Sequence, residues 1–250
     1  SVTGTAYFTR NTMDVPFKHN VEGVTDFPVH YSFLDAVNQP FSWDNGLSKL
    51  YVTLSQDILY KNPLNNSIFL DNHDNNRFLS MVGEDYYKFK MGIGLLYTTR
   101  GIPQLYYGTE ILMKNFMNPS DAMVRLNFPG GFPGDAVNKF EASGRNAKEN
   151  DAFNFVKTIA NFRKGSPALT KGSTTMFVPK DGYFVYFRKA DNQTIMCVVN
   201  SNDKAQDVQF SDYAELTNGF KGGKEVVTGY QVGTQFSIPA KQMWIIELNK

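Results

Sequence analysis

The apolar positions change rhythm along the chain. Residues 1–22 carry Tyr7, Phe8, Pro16 and Phe17 without a steady period and read as irregular. Residues 23–30 read as a short strand that Pro28 should end near Phe27, because proline cannot donate within a sheet. Leu47, Leu50, Tyr51, Leu54, Ile58 and Leu59 then fall on one helical face, with Asp44 as the expected N-cap and Asn62-Pro63 as the stop. A strand at 67–70 follows, then a helix from about 84 to 99 that buries Phe89, Ile93, Leu96 and Tyr97. Gly92 and Gly94 would admit a close neighbour, and Gly101 ends that helix. Residues 102–107 read as another strand, and 111–149 as a long loop of the kind that serves as a lid or binding loop. A third helix spans about 150–164, with Ala152, Val156, Ile159 and Ala160 along one side beside Phe155 and Phe162.

After Gly165-Ser166-Pro167 the texture changes to short alternating strands. These fall at 174–178, 183–188, 194–200, 205–210, 224–228 and 242–248. The turns between them are Asp181-Gly182, Asp191-Asn192, Asn218-Gly219 and Gly222-Gly223, a pattern that indicates an antiparallel sandwich. Residues 24–165 therefore read as strand–helix three times, which is α/β, and 172–250 as all-β. The boundary is placed within 166–172, dividing the chain into 1–168 and 169–250, and the sandwich is expected to fold by itself.

Composition narrows the function classes. Lys plus Arg (25) nearly balance Asp plus Glu (24), so no global field favours nucleic acid or an anionic membrane. The single cysteine, Cys197, excludes an internal disulfide and reads as a buried strand residue. His19, His30 and His73 are too dispersed to suggest a metal site, and no apolar run approaches the roughly 20 residues of a membrane span. The first residues show no signal-peptide pattern and no initiator Met, so the expectation is a processed or excised chain.

The chemistry concentrates where the strand at 67–70 ends. Asp71, Asn72, His73, Asp74, Asn75, Asn76 and Arg77 place carboxylates, amides, an imidazole and a guanidinium together at a strand terminus, as barrel and open α/β enzymes present a site. The bland alternative is an Asp/Asn-rich turn, with Asp74 capping the next helix. A metal-dependent phosphohydrolase also uses such oxygen-rich clusters, but no second cluster of His or Asp exists to complete one.

Asp71-Asn72-His73-Asp74, together with Gly101-Ile102-Pro103-Gln104-Leu105-Tyr106-Tyr107-Gly108-Thr109-Glu110, resembles the α-amylase family of glycoside hydrolases. Phe128-Pro129-Gly130-Gly131 and Asp26-Phe27 resemble its neopullulanase and cyclomaltodextrinase branch. The resemblance implies the C-terminal part of a (β/α)8 TIM barrel followed by an antiparallel β-sandwich. Asp26-Phe27 would lie on strand six, Phe69 to Asp74 on strand seven and Ile102 to Tyr106 on strand eight. It implies that Asp74 is the transition-state-stabilising carboxylate and that His73 hydrogen-bonds the sugar. Asn72, Arg77, Tyr106 and Phe132 are further candidates for substrate contact, Arg77 by proximity rather than by motif.

The motifs that carry the family's nucleophilic Asp and its acid/base Glu are not found, and Glu22 and Asp26 match neither. Retaining glycosidases need two carboxyl groups about 5–5.5 Å apart. The chain by itself is therefore expected not to hydrolyse glucan. Its expected partners are an α-glucan oligosaccharide and either the missing N-terminal part or a second copy, with no nucleic acid and no membrane span. No cofactor is required. Calcium is common in the family, but no ligand set is readable. A periplasmic or secreted location is favoured over a cytoplasmic one. Asn127 departs from the Asp more usual before Phe-Pro-Gly-Gly in the related enzymes. The alternative function is a non-catalytic glucan-binding or structural piece.

Overall fold

The computed structural model describes residues 1–9 and 21–250. Pro16, Phe17 and His19 lie outside the described residues. A short helix α1 (Val2–Ala6) leads in, capped by Ser1.

The expected strand around Thr25 shrinks to a single parallel bridge between Thr25 and Ser67. Helix α2 (Phe27–Asn38) takes over at once. Pro28 opens this helix rather than closing a strand, since the first turn needs no amide donor from it. The Asp26 carboxylate caps the helix by accepting from Val29 N at 3.2 Å. Val29, Phe33, Ala36 and Val37 form its buried face.

Helix α3 (Leu47–Ser55) begins at Gly46, which has φ 64° and supplies no side-chain cap. Asp44 is not the cap. It accepts from Ser42 Oγ at 3.1 Å in the preceding turn. Leu47, Leu50 and Leu54 are buried as expected, but Ile58 is 76% exposed. The last turn, Gln56–Leu59, tightens into 3-10 geometry, whose three residues per turn rotate Ile58 off the apolar face.

Strand β1 (Ser67–Phe69) is followed by a one-turn helix α4 (Phe78–Met81) and by α5 (Tyr86–Thr98), capped by Asp85. Two glycines let α5 approach its neighbours: a Cβ on Gly92 would meet Phe78 Cζ at 2.2 Å, and one on Gly94 would meet Met243 Sδ at 2.6 Å. Strand β2 (Ile102–Gln104) pairs parallel with β1, Ser67 opposite Ile102 and Phe69 opposite Gln104. It stops three residues short of the expected end at 107. The connection from 105 to 146 contains only short 3-10 turns. Helix α6 (Ala147–Gly165) starts earlier than its apolar periodicity suggests, because Asn146 and Glu149 form a capping box. Helix α7 (Pro167–Lys171) completes the helical part.

The remainder is antiparallel. The strands are β3 (Ser173–Met176), β4 (Tyr183–Ala190), β5 (Gln193–Asn200) and β6 (Gln206–Gln209), then, after the one-turn helix α8 (Ala214–Thr217), β7 (Gly222–Glu225), β8 (Gln231–Val232), β9 (Gln235–Ile238) and β10 (Gln242–Asn249). Six of them form a sheet in the order β3-β4-β5-β10-β7-β8, and β6 pairs with β9 in a second, two-stranded sheet. Gly222-Gly223 is not a turn: both residues lie in β7, opposite Asn249 and Leu248 of β10. A Cβ on Gly223 would meet Ile246 Cγ2 at 2.5 Å, so glycine permits the pairing. Alternate residues of β4 and β5 face opposite ways. Phe184, Tyr186, Ile195, Cys197 and Val199 join the core shared with the helices. Val185, Phe187, Met196 and Val198 join the core under the small sheet. Burial on both faces explains why these strands read as continuous apolar runs.

Candidate active site

The polar cluster follows β1 and faces the loop after β2, at the C-terminal ends of the parallel strands. Asn72 makes the bend: its Oδ1 accepts from Asp74 N at 2.8 Å, an Asx turn. That bend sends neighbouring side chains in opposite directions. Asp71 is buried, while the side chains of His73 and Asp74 are 62% and 63% exposed.

Asp71 anchors the bend from below. Its carboxylate accepts from Phe78 N at 2.8 Å and Thr109 Oγ1 at 3.0 Å and lies 3.3 Å from Arg77 Nε. Burial pushes its pKa above the ordinary carboxylate range against the pull of Arg77. Arg77 also donates to Val124 O at 3.2 Å and to Tyr107 O, and its guanidinium stacks over the Tyr106 ring at 4.3 Å. The expectation that Arg77 meets an incoming glucan is corrected: its side chain is 1% exposed and its donors are directed to protein acceptors. Further protein added around it could only bury it more.

Tyr106 is half-buried under that guanidinium, and its hydroxyl donates to Val124 O at 3.4 Å. Burial, with Tyr107 beside it, raises the phenol to about 12. Phe132 stands exposed on a turn pinned by Asp135, whose Oδ2 accepts from Gly130 N at 2.7 Å and Phe132 N at 3.1 Å. The structure thus brings Asn72, His73 and Asp74 together as one feature, supports them on Asp71 and Arg77, and leaves Phe132 on a separate turn.

Arg125 was not anticipated. Its Nε donates to His73 O at 2.8 Å, and its Nη2 donates to Asp74 Oδ1 at 3.0 Å and Asp121 Oδ2 at 3.2 Å. His73 Nε2 lies 3.3 Å from Asp74 Oδ2. One carboxylate oxygen is therefore held by a guanidinium and the other faces an imidazole. A lone arginine in a long loop gave no sequence signal of this contact, which forms across a separation of 51 residues.

A second buried network sits at the opposite, N-terminal ends of the strands. Arg100 donates to Asp26 Oδ2 at 2.7 Å through Nη1 and to Asp57 Oδ2 at 2.7 Å through Nε. Asn66 Nδ2 donates to Asp26 at 3.2 Å. Asp26 is fully buried there, so it belongs to the frame and not to the open face. Among the described residues, no three His, Cys, Asp or Glu side chains converge on a common point.

Residues 4–139 match the family described as alpha amylase, catalytic domain, more than half of the chain. The chain belongs to the alpha-amylase family. Residues 174–247 match the cyclo-malto-dextrinase C-terminal domain. Among curated relatives, the chain is 27% identical over 206 residues to a beta/alpha-amylase of Paenibacillus polymyxa, covering 80% of this chain and 15% of that one. It is 24% identical over 192 residues to a cyclomaltodextrin glucanotransferase of Paenibacillus macerans, covering 73% of this chain and 24% of that one. Among solved structures, an alpha-amylase from Geobacillus thermoleovorans complexed with acarbose superposes with a TM-score of 0.76 at 21% identity, over 100% of this chain and 51% of that one. A cyclomaltodextrin glucanotransferase of three-domain ABC distribution superposes with a TM-score of 0.72 at 23% identity, over 98% and 46%. The chain thus spans less than a quarter of those curated relatives and about half of those alpha-amylase-family structures. Its architecture is the C-terminal portion of an alpha-amylase catalytic domain followed by an antiparallel C-terminal domain.

Proposed function

We propose that this chain supplies the sugar-gripping side of the active site of a retaining α-glucan hydrolase of the cyclomaltodextrinase type. The observation that carries this reading is the Asp74 carboxylate, exposed at the C-terminal end of β1 and held by Arg125. The transition state of glycoside cleavage is oxocarbenium-like, and hydrogen bonds to the sugar 2-OH strengthen as it forms. A carboxylate fixed in advance accepts such bonds without reorganising, and His73 beside it donates to a neighbouring hydroxyl. Arg125 orients Asp74. Asn72 shapes the bend, and Arg77 and Tyr106 hold it in place. The matched C-terminal domain and the Phe128-Pro129-Gly130-Gly131 loop favour cyclomaltodextrin, pullulan or starch fragments as substrate.

The two bond-breaking carboxylates come from other protein. Asp71 cannot serve, since it is buried and fully engaged. Among the described residues, no strand pairs with the outer edge of Thr25 or of β2, and Ile102 of β2 is exposed, edges that further barrel strands would cover. Those strands belong to the rest of the same enzyme or to a second copy. Robust maltooligosaccharide hydrolysis by the purified 250-residue chain would refute this division of labour.

Asp74→Asn, made in the enzyme with its full catalytic region, is expected to lower turnover on the order of a hundredfold or more while leaving the circular dichroism spectrum intact. Unchanged turnover would sink the assignment. A second reading, glucan binding without hydrolysis, draws on exposed Phe132 and Phe140. It predicts that Phe132→Ala weakens binding and that Asp74→Asn does not.

A further inference from the structure

The bend after β1 and the turn after β2 meet at one hydroxyl. Gly108, at φ 81°, turns the backbone after β2 where a Cβ would meet Met113 Sδ at 2.1 Å. That turn swings Thr109 back towards the bend after β1. Thr109 Oγ1 donates to Asp71 Oδ1 at 3.0 Å and lies 3.2 Å from Oδ2, across a separation of 38 residues. It accepts from Arg77 Nη2 at 3.4 Å. Thr109 is 2% exposed. A hydroxyl has one hydrogen and two lone pairs, so here the hydrogen serves a buried carboxylate and a lone pair serves a buried guanidinium.

Asp71 depends on this bond. Its Oδ2 accepts from Phe78 N at 2.8 Å, and Arg77 Nε stands 3.3 Å away without donating a hydrogen bond. At Oδ1, Thr109 is the one donor among the described residues. Burial already pushes Asp71 towards its protonated form. A buried carboxylate oxygen that loses its donor keeps the full cost of desolvation, so the side chain must rotate or take up a proton to recover. Either response moves the bend. Asp71 is bonded directly to Asn72, whose Oδ1 holds Asp74 N at 2.8 Å, and through Phe78 N the same carboxylate ties down the far side of the bend. A shift at Asp71 therefore reaches His73 and Asp74 along the backbone itself. Arg125 steadies Asp74 from the exposed side, and Thr109 does so from below.

We propose that Thr109 is a positioning residue for glycoside cleavage: its buried hydroxyl, by holding Asp71 across the two strands, sets where the bend presents Asp74. The proposal rests on the Asp74 reading above. Thr109 is buried beneath the bend and touches no substrate, so its contribution falls on the bond-breaking step and not on uptake of the glucan.

Thr109→Val keeps the shape and removes the hydroxyl, whereas Thr109→Ser keeps the hydroxyl. In the enzyme with its full catalytic region, Thr109→Val is expected to lower kcat on a maltooligosaccharide about ten- to a hundredfold, with KM within about twofold of the parent. Thr109→Ser should bring kcat back to within about threefold. In the full 250-residue chain, Thr109→Val should speed hydrogen exchange at Asp74 N–H and leave the amides of α6 unchanged. A folded Thr109→Val enzyme with unaltered kcat would overturn the proposal, as would equal losses in the Val and Ser variants. If Thr109→Val does not fold, Thr109→Cys decides, because a thiol is a weak donor of nearly the same shape as the Ser hydroxyl; equal kcat for Thr109→Cys and Thr109→Ser would overturn the role. Asp74→Asn is measured alongside. Retained turnover there overturns the Asp74 reading and this inference with it, whereas a silent Thr109→Val beside an inactive Asp74→Asn overturns the positioning role alone.

Discussion

Asp71 and Asp74 lie three positions apart and have opposite fates. Asn72 turns the backbone, so Asp71 points into the protein and Asp74 out of it. The buried Asp71–Arg77 pair is the more consequential for stability, because removing one partner strands the other charge. Arg77→Leu is expected to cost about 3–5 kcal/mol in urea unfolding. A loss below about 1 kcal/mol would show that the pair is dispensable. Arg125 should behave differently. Its contacts are exposed, so Arg125→Ala should change stability by no more than about 1 kcal/mol. In the catalytically complete enzyme the same change should lower kcat more than it raises KM, since it loosens Asp74 rather than removing a substrate contact; an unchanged kcat would exclude a positioning role.

His30 gives a pH signature at the same scale. It is buried, stacked on Phe69 at 4.5 Å, and desolvation lowers its pKa from 6.5 to about 4. The folded state therefore favours the neutral ring. Above pH 6.5 no penalty applies. As pH falls from 6.5 towards 4 the unfolded chain takes up the proton first, and stability should drop by about 3 kcal/mol in all. Denaturant unfolding at several pH values checks this, with His30→Phe expected to flatten the slope in that window.

At the scale of elements, local signals competed with one another. Pro28 could end a strand or open a helix, and Asp26 decided for the helix by capping it. The apolar stripe of α3 was legible through Leu54, but the tightening that exposes Ile58 leaves no mark on a fixed 3.6-residue period. The capping box at Asn146 and Glu149 moved the start of α6 ahead of its first apolar residue. Asn146→Ala is expected to cost about 1 kcal/mol, read as a lowered thermal midpoint. The strands β4, β5 and β10 were plain from their apolar runs, whereas β8 and β9 passed unnoticed because two and four residues are too few to show a period.

For the whole molecule, the decisive feature is a shared core. Phe184, Tyr186, Ile195, Cys197, Val199 and Ile245 of the large sheet pack in one cluster with Phe33, Leu50, Ile93 and Val156 of the helices. Buried Arg188 of β4 adds a polar tie between the two, donating to Thr98 O of α5 at 2.9 Å. A chain that begins at Gly172 would expose that whole sheet face. Contrary to the expectation of an independent sandwich, it should aggregate or bind a hydrophobic dye, and the 250-residue chain should melt in one transition. A soluble, cooperatively folding 172–250 fragment would disprove this.

The amino-acid sequence alone determined the α/β-then-β order, the two matched regions, and the Asn72-His73-Asp74 cluster at a strand end. Those rest on local periodicity, turn chemistry and contiguous motifs. Only the tertiary structure decided that Arg77 is a strut and not a ligand contact, that Arg125 holds Asp74, and that the sheet and helices share one core. Each of these depends on which distant side chains meet. An arginine has the same composition and the same neighbours in sequence whether its guanidinium ends against a buried carboxylate, a carbonyl or a sugar.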